Sequence, residues 1–264
     1  MSDYSRRMLS PLYADVLTFC RTQLAAHPAR PLVVGVQGPQ GAGKTTLTRA
    51  LIDALPGLGL RGVTVSIDDF YLTRAEQLAV AAAHPGNPYL EHRGYPGTHD
   101  IALGEATLAA AHTTAPLTVP VYDKSAHGGR GDRTPVGEWR TVERPIDIVF
   151  VEGWMLGFEP VAEASLEDAQ LAPANQALAE YARWYRHIDA WVVLRAEDPT
   201  FVLTWRVEAE ERMKASGKPG LSRADIEDYI RRFLPAYRTW GGAPASVPPA
   251  RQLTLTIDLQ RQKI

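Results

Sequence analysis

One stretch of the chain has the residue types and spacing of a nucleoside triphosphate site. Gly38, Gly43, Lys44 and Thr45 occupy the four fixed positions of the pattern G-x-x-x-x-G-K-[ST]. Glycines let backbone N–H groups approach a polyphosphate, and the first turn of the following helix adds a partial positive charge. We expect the Lys44 ammonium to bind the outer phosphates and the Thr45 hydroxyl to bind Mg²⁺. The predicted phosphate-binding loop consists of Gly38, Pro39, Gln40, Gly41, Ala42, Gly43, Lys44, Thr45 and Thr46.

Three carboxylates directly follow two apolar runs that read as buried strands. Asp68 and Asp69 come after residues 63–67, and Glu152 comes after residues 146–151. In open α/β sheets, ligands bind outside the carboxyl ends of the strands. One member of the Asp68–Asp69 pair could accept a proton from a substrate hydroxyl, and the other could organise Mg²⁺ through water. The alternative is an Asp that caps the next helix. Glu152 has the placement of a residue that holds Mg²⁺ or its waters.

Two irregular segments carry charged and aromatic side chains that could bind a small anion. Residues 84–99 are rich in proline and glycine and end in His99, which Asp100 follows. A loop of this length inside a compact domain is usually functional or disordered. Residues 122–133 combine three glycines with Lys124, Arg130 and Arg133, and such a loop can close over an anion. The alternative for this second loop is a surface hairpin whose charges are solvated.

Two consecutive helical patterns near the end of the chain carry arginines. The first pattern, over residues 199–214, contains Arg206 and Arg212, and the second begins at Ser222 and ends near residue 237. Gly217 and Gly220 interrupt the two patterns. Arginine-bearing helices that a glycine turn joins fit a lid over a transferring phosphate. The alternative is a solvated charged face.

Length and composition set the frame in which these residues must be positioned. A chain of 264 residues, 45% of them apolar, suffices for a large α/β core. The net charge of −2 gives no general attraction to nucleic acid or membranes, and the single cysteine, Cys20, allows no internal disulfide. No apolar run approaches 18 residues, so a cytoplasmic protein is expected. Strands alternate with helices without a linker or a repeat, which predicts one domain, residues 1–264.

Seven segments of the chain carry a family resemblance, which runs from about residue 32 to residue 240. The most specific are SIDDFYLT (66–73) and EGWMLGF (152–158), and the others are GPQGAGKTT (38–46), GTHD (97–100), YDKSAHGGRGDR (122–133), IDAWVVL (188–194) and FLPAY (233–237). On these motifs the chain resembles the D-glycerate 3-kinase family, the plant and fungal type of glycerate kinase. That family is in turn similar to the uridine, pantothenate and phosphoribulose kinases.

The resemblance implies a fold and a reaction. The fold is the three-layer α/β/α arrangement of P-loop kinases, with a mostly parallel sheet and a helical lid at about residues 199–237. The reaction is transfer of phosphate from ATP to the 3-hydroxyl of D-glycerate. Asp68 corresponds to the Asp that acts as the base in related kinases, while Thr45 holds Mg²⁺ with Asp69 and Glu152 in its outer shell. Either Arg206 or Arg212 neutralises the developing charge. The expected acceptor-site residues are Asp68, Tyr71, His99, Asp100, Tyr122, Lys124, Arg130 and Arg133.

Two other functions fit part of this pattern. The same chemistry could act on another small alcohol, of the uridine or pantothenate type, or the chain could be a nucleotide-binding ATPase without a small acceptor. A carboxylate acceptor needs cationic partners, whereas a nucleoside needs a stacking surface. The cations of residues 122–133 favour the anion. The expected partner is therefore a small molecule, and neither nucleic acid nor a membrane is expected. The sequence leaves the oligomeric state and the choice between ATP and GTP open.

Overall fold

A five-stranded parallel sheet forms the centre of the structure, a computed structural model that describes residues 11–27, 31–215 and 223–264. Its strands follow the order β2-β7-β1-β8-β9, so β2 and β9 are the edge strands. Two short antiparallel pairs, β3 with β6 and β4 with β5, lie apart from this sheet. The strands are β1 (Leu32–Gln37), β2 (Gly62–Ser66), β3 (Leu117–Val119), β4 (Tyr122–Asp123), β5 (Asp132–Arg133), β6 (Arg140–Val142), β7 (Ile148–Gly153), β8 (Ala190–Ala196) and β9 (Gln252–Ile257).

Helices cover both faces of the central sheet. They are α1 (Pro11–Ala26), α2 (Lys44–Ala54), α3 (Arg74–Ala83), α4 (Ile101–Ala111), α5 (Ala126–Gly129), α6 (Ala172–Ala177), α7 (Ala182–Tyr185), α8 (Phe201–Ala215) and α9 (Arg223–Thr239). Short 3₁₀ turns occupy Leu55–Leu58, Ile67–Phe70, Val136–Glu138, Glu163–Ser165, Ala169–Leu171, Leu178–Tyr181 and Pro249–Arg251. In the described part of the chain, no helix is long and apolar enough to span a bilayer.

The three layers follow from the alternation of side chains along the strands. Val33 of β1 packs into a core that also contains Leu108 of α4 and Trp184 of α7. Val34, its neighbour, packs into the opposite core, with Leu47 of α2. Successive side chains of a strand point to opposite faces, so a strand with apolar residues at every position needs cover on both sides. The predicted three-layer α/β/α class is confirmed, and every pairing in the central sheet is parallel.

Two elements that the sequence predicts as continuous are broken in the structure. The pattern of residues 117–122 predicts one strand, but the strand is divided at Pro120, because proline cannot donate to a strand ladder, and its halves join different sheets. The pattern of residues 172–187 predicts one helix, but the segment contains the 3₁₀ turn Leu178–Tyr181. Leu178, Tyr181 and Trp184 are all buried, and their spacing of three residues matches a 3₁₀ turn. The predicted lid turn at Gly217, Gly220 and Ser222 lies outside the described residues, and the single domain stays a prediction.

Candidate active site

The glycine loop between β1 and α2 adopts a backbone that requires glycine at two positions. Gly41 has φ +81° and Gly43 has φ +92°, in the region that side chains disfavour. A Cβ atom on Gly41 would lie 2.5 Å from Cβ of Trp205, so α8 packs directly against the loop. Gly43 is the N-cap residue of α2 and has no side chain to cap the first turn. An anion is a natural partner for the N–H groups of that turn.

Lys44 and Thr45, the first two residues of α2, both point toward charged or polar groups of the loop and sheet. The Lys44 Nζ donates hydrogen bonds to the carbonyls of Gly38, at 2.7 Å, and Pro39, at 3.1 Å. Burial lowers the pKa of Lys44, while the charges of Glu152 and Asp68 act in the opposite direction. The Thr45 hydroxyl donates to Oε1 of Glu152 at 3.0 Å. The strand order β2-β7-β1 therefore brings the loop and both predicted carboxylate positions to one sheet edge.

Asp68 forms an ion pair with Lys124 of the loop at residues 122–133. The Lys124 Nζ donates to Oδ2 of Asp68 at 2.5 Å. Burial raises the pKa of Asp68, but the charge and hydrogen bond of Lys124, the charge of His99 and a hydrogen bond from Tyr71 together lower it below its ordinary value. Asp68 is consequently ionised at neutral pH. The structure thus brings together two of the expected acceptor-site residues, Asp68 and Lys124, whose binding of a substrate stays a prediction.

Asp69 faces a different neighbour. Its Oδ1 accepts a hydrogen bond from the backbone N–H of Tyr122 at 3.3 Å, which ties the end of β2 to β4. The pKa of Asp69 is raised to about 6. Burial is the main cause and the charge of Asp68 adds to it, while the hydrogen bond from the N–H of Tyr122 acts in the opposite direction. The two adjacent carboxyls thus have pKa values that the surroundings push in opposite directions. A magnesium-binding role for Asp69 stays a prediction.

His99, Tyr71 and Tyr122 form an aromatic wall beside Asp68. The ring of Tyr71 stacks on that of His99 at 4.4 Å between centroids and meets the ring of Tyr122 edge-on at 5.4 Å. The Nδ1 atom of His99 lies 2.7 Å from the hydroxyl of Tyr181. Burial lowers the pKa of His99 to about 4, against the charge of Asp68. The imidazole is therefore neutral at pH 7.

Asp100 and Arg133 bind each other. The side chain of Asp100 caps α4 by accepting from the N–H of Leu103 at 3.0 Å, and its Oδ2 accepts from Arg133 at 2.8 Å. Arg133 also lies 3.4 Å from a carboxylate oxygen of Glu76, the N3 residue of α3. These contacts join α3, α4 and β5 behind the aromatic wall. Direct binding of a substrate by Asp100 or Arg133 stays a prediction.

Arg93 shapes the loop that carries Lys124 and Arg130. Its guanidinium donates to the carbonyls of Gly129 at 3.0 Å, Arg130 and Lys124 at 3.4 Å, and it lies over the Tyr122 ring at 5.5 Å. The side chain of Arg130 contacts Nε2 of His92. The irregular segment 84–99 and the glycine loop 122–133 therefore form one cationic surface next to Asp68.

The predicted lid helices are docked against the phosphate-binding loop at two points. Trp205 of α8 is fully buried against Gly41, and the hydroxyl of Tyr237 in α9 accepts from the backbone N–H of Gln40 at 3.0 Å. Arg206 is paired with the buried carboxylate of Glu210. Arg212 is an exposed side chain 3.7 Å from a carboxylate oxygen of Glu208. Catalytic roles for Arg206 and Arg212 stay predictions.

Several site residues carry no strong sequence signal. Tyr181 reaches His99 because the chain makes a 3₁₀ turn there, and no motif marks it. Arg261, which follows β9, donates to the carbonyl of Gly41 at 2.7 Å and covers the Trp205 ring at 5.1 Å. The rings of Trp154 and Tyr237 are in contact, at 5.5 Å between centroids. Both residues belong to family motifs, EGWMLGF and FLPAY, and that membership is the sequence signal for them. Arg93 belongs to a segment that the sequence indicates as functional only as a whole.

The glycine loop at the end of a central parallel strand, its buried lysine, and the Thr45–Glu152 contact define a P-loop kinase. No family model matches the chain. It is 39% identical to the chloroplastic D-glycerate 3-kinase of Arabidopsis thaliana over 96% of its own length, and it spans 60% of the length of that plant enzyme.

Two further relatives match this chain over most of its length and most of their own. The solved structure of D-glycerate 3-kinase from Cryptococcus neoformans var. grubii serotype A is 32% identical, with a TM-score of 0.86 over 97% of this chain and 98% of the other. An uncharacterized kinase of Schizosaccharomyces pombe is 36% identical over 79% of this chain and 80% of its own length. The chain belongs to the D-glycerate 3-kinase family, and the family predicted from the motifs is confirmed.

Proposed function

We propose that the protein transfers the terminal phosphoryl group of ATP to the 3-hydroxyl of D-glycerate. The observation that carries this proposal is the placement of the Asp68–Lys124 pair at the same sheet edge as the phosphate-binding loop. The charges of Asp68 and Lys124 both act on the pKa of Lys44, so the two halves of the site are electrostatic neighbours. A reacting hydroxyl bound at Asp68 would therefore lie beside the phosphates. The names of the Arabidopsis and Cryptococcus relatives support glycerate as the acceptor.

The loop and its surroundings fit ATP with Mg²⁺. Positive-φ glycines supply backbone N–H groups, and Lys44 is a buried cation whose present hydrogen bonds are to loop carbonyls. Mg²⁺ in kinases takes one or two protein oxygens and completes its shell with water and phosphate oxygens. The Thr45 hydroxyl and the Glu152 carboxylate, 3.0 Å apart, are such oxygens, and Asp69 would support the outer shell. The metal would neutralise charge on the phosphates.

Asp68 acts mainly by positioning the acceptor hydroxyl. Its lowered pKa makes it a weak base at neutral pH, but it is a good hydrogen-bond acceptor because it is fully ionised. Phosphoryl transfer passes through a loose transition state in which the nucleophile gains little bond order early, so orientation contributes more than early proton removal. Asp68 would hold the hydroxyl in line and take its proton late. Lys124 keeps the carboxylate in place.

The acceptor carboxylate would bind to the cationic loop. A molecule as small as glycerate buries little apolar area, so charge-assisted hydrogen bonds must supply most of its affinity. Arg133 is already paired with two carboxylates, whereas Lys124 keeps two N–H donors beyond the one it gives to Asp68 and Arg130 contacts an imidazole, so Lys124 and Arg130 are the candidates. A nucleoside would instead need an open aromatic face, and the Tyr71 ring is stacked on His99. The pairing of cations with the acceptor region thus favours the hydroxy acid over a nucleoside.

Charge on the transferring phosphate would be neutralised from the lid. Arg206 directly follows Trp205, the residue of α8 that packs on Gly41, which supports it over Arg212, a more exposed residue of the same helix. Its ion pair with the buried Glu210 fixes the helix face it occupies. The cytoplasmic location and the absence of nucleic-acid and membrane partners, both expected from the sequence, stay predictions.

The test is a coupled assay of the purified full chain with ATP, Mg²⁺ and D-glycerate. The product should feed enolase only when phosphoglycerate mutase is present, because that dependence distinguishes the 3-phosphate from the 2-phosphate. Glyceramide, which has the same hydroxyls but no carboxylate charge, is the matched control and should be a poor acceptor. Arg130→Ala should raise the KM for glycerate more than the KM for ATP. Efficient phosphorylation of uridine or pantothenate without activity on glycerate would contradict the proposal.

A further inference from the structure

His99 has a buried ring nitrogen without a partner. The side chain is 4% exposed, and its Nε2 makes no hydrogen bond with any of the described residues. Almost all buried polar atoms in proteins are hydrogen-bonded, and an exception at a site edge indicates where a ligand atom is bound. The other ring nitrogen, Nδ1, lies 2.7 Å from the hydroxyl of Tyr181. The two nitrogens therefore have different surroundings, and Nε2 is the one that could bind a ligand atom.

The hydrogen bonds of Tyr181 determine which nitrogen carries the proton. Its hydroxyl accepts from the backbone N–H of Gly97 at 3.2 Å, and among the described residues Nδ1 of His99 is the acceptor within reach of its own proton. A neutral imidazole that accepts at Nδ1 must carry its own proton at Nε2. Because burial keeps His99 neutral at pH 7, Nε2–H is a fixed donor without charge.

The position of the ring places this donor on the acceptor side of the site. Tyr71 stacks on the imidazole at 4.4 Å and also hydrogen-bonds to Asp68. The charge of Asp68 in turn acts on the pKa of His99. His99 is therefore next to the carboxylate that would receive the reacting hydroxyl, and the charge of the same carboxylate acts on Lys44 of the phosphate-binding loop.

The chemistry of glycerate leaves one polar group for this donor. Its carboxylate matches the cations Lys124 and Arg130, and its 3-hydroxyl matches Asp68. The remaining 2-hydroxyl is neutral and can accept a hydrogen bond from a neutral donor. We propose that His99 donates its Nε2–H to the 2-hydroxyl oxygen, and that Tyr181 is a positioning residue that fixes the donor tautomer. This assignment rests on the proposed function, and it identifies the group by which the site distinguishes a 2,3-dihydroxy acid from a 3-hydroxy acid.

Deleting the two partners in turn tests the contact. D-Glycerate is compared with 3-hydroxypropionate, which lacks only the 2-hydroxyl, in the wild type, His99→Asn and His99→Gln. Loss of one neutral hydrogen bond corresponds to a roughly three- to tenfold change. In the wild type, kcat/KM for glycerate should exceed that for 3-hydroxypropionate by at least this factor. His99→Asn should lower the value for glycerate by more than the value for 3-hydroxypropionate, so that the preference disappears. His99→Gln places an amide N–H near the Nε2 position and should restore part of the preference.

A second pair of variants tests the positioning role. Tyr181→Phe should raise the KM for glycerate about three- to tenfold and leave the KM for ATP unchanged. Tyr185→Phe is the matched control, because it removes another partly buried hydroxyl four residues away, which donates to the carbonyl of Phe158 at 2.9 Å. In ¹⁵N spectra of histidine-labelled protein, with His99→Asn for assignment, His99 should show a protonated Nε2 and a bare Nδ1. Tyr181→Phe should mix the two tautomers and Tyr185→Phe should not.

The outcomes separate this inference from the proposed function. A wild type that does not phosphorylate glycerate overturns the proposed function and this assignment with it. A wild type that is active on glycerate but whose preference over 3-hydroxypropionate survives His99→Asn overturns the 2-hydroxyl contact alone. A His99 ring whose protonated nitrogen is Nδ1 in the wild type overturns the role of Tyr181.

Discussion

Alanine substitutions at three glycines test the packing of α8 on the phosphate-binding loop. Gly41 and Gly43 both have positive φ, so alanine strains the backbone at each. At Gly41 the new Cβ would also meet Cβ of Trp205 at 2.5 Å, whereas at Gly43 the nearest atom is 3.8 Å away. Gly57 has no positive φ in the 3₁₀ turn Leu55–Leu58, and nothing lies within 4 Å of its Cβ position. The three positions therefore separate backbone strain from a steric clash.

The expected costs follow from these contacts. Left-handed backbone costs an alanine about 1–2 kcal/mol, which applies to Gly41→Ala and Gly43→Ala alike. Overpacking against Trp205 adds about 1–3 kcal/mol to Gly41→Ala only. Gly57→Ala should be neutral or stabilise by about 0.4–1 kcal/mol, because it restricts the unfolded chain. With roughly 2–4 °C of melting temperature per kcal/mol in a chain of this size, Gly41→Ala should melt about 2–12 °C below Gly43→Ala.

Thermal unfolding of the nucleotide-free protein, followed by far-UV circular dichroism, measures this difference. Adding ATP and Mg²⁺ gives a second readout, since a ligand that binds only the folded state raises its melting temperature. The wild type and Gly57→Ala should show the same shift, and Gly41→Ala should show a smaller one. Equal melting temperatures for Gly41→Ala and Gly43→Ala would refute the close packing of α8 on the loop.

Three further predictions concern the reaction and the pH dependence of folding stability. Lys44→Ala should remain folded but lose most kinase activity, and turnover within a few-fold of wild type would exclude the phosphate-binding role. Asp68→Asn should lower kcat by roughly 10²-fold with little change in ATP binding, as for loss of a general base. If Asp69→Asn is the far more damaging change in the same assay, the roles of the pair are reversed. His99 has a folded-state pKa of about 4 against an ordinary value of 6.5. The unfolded chain therefore binds the proton first, and stability falls as the pH decreases through this window. Between pH 7.5 and pH 5 the wild type should lose about 2 kcal/mol more stability to urea unfolding than His99→Gln, since Asp69, whose pKa is raised, titrates in both proteins. Equal pH dependence in both proteins would contradict the buried, neutral histidine.

Local sequence patterns were sufficient for the phosphate-binding loop and the central strands. The loop needs residue types that no helix or strand interior favours. It follows an apolar run of strand length and precedes a helix, which is the context that the motif requires. Carboxylates at strand ends could also be placed, because parallel strands bring their carboxyl ends to one edge. Thr45 and Glu152, both assigned to Mg²⁺ from the sequence, lie 3.0 Å apart in the structure, and their metal-binding role stays a prediction.

Pairings between distant segments could not be predicted in the same way. Arg133 and Asp100 were both expected to face the acceptor, but they are 33 residues apart and bind each other because α4 and β5 pack together. Tyr181 was expected within a continuous helix, and its contact with His99 depends on a 3₁₀ turn that buried side chains select. Such contacts are settled by tertiary packing, which overrides local helix propensity.

The helix α9 makes contact with both ends of the site. Near its C-terminal end, the Tyr237 hydroxyl accepts from the Gln40 amide of the phosphate-binding loop. One turn earlier, Phe233 stacks on Tyr95 at 5.3 Å, and the Tyr95 hydroxyl donates to the carbonyl of Arg232, which ties α9 to the acceptor segment 84–99.

A ligand at either end that displaces α9 thereby changes the contacts at the other. By thermodynamic linkage the coupling is reciprocal: whatever factor the nucleotide applies to acceptor affinity, the acceptor must apply to nucleotide affinity. The two proposed substrates are therefore expected to bind as a linked pair, with α9 as the element that communicates between them.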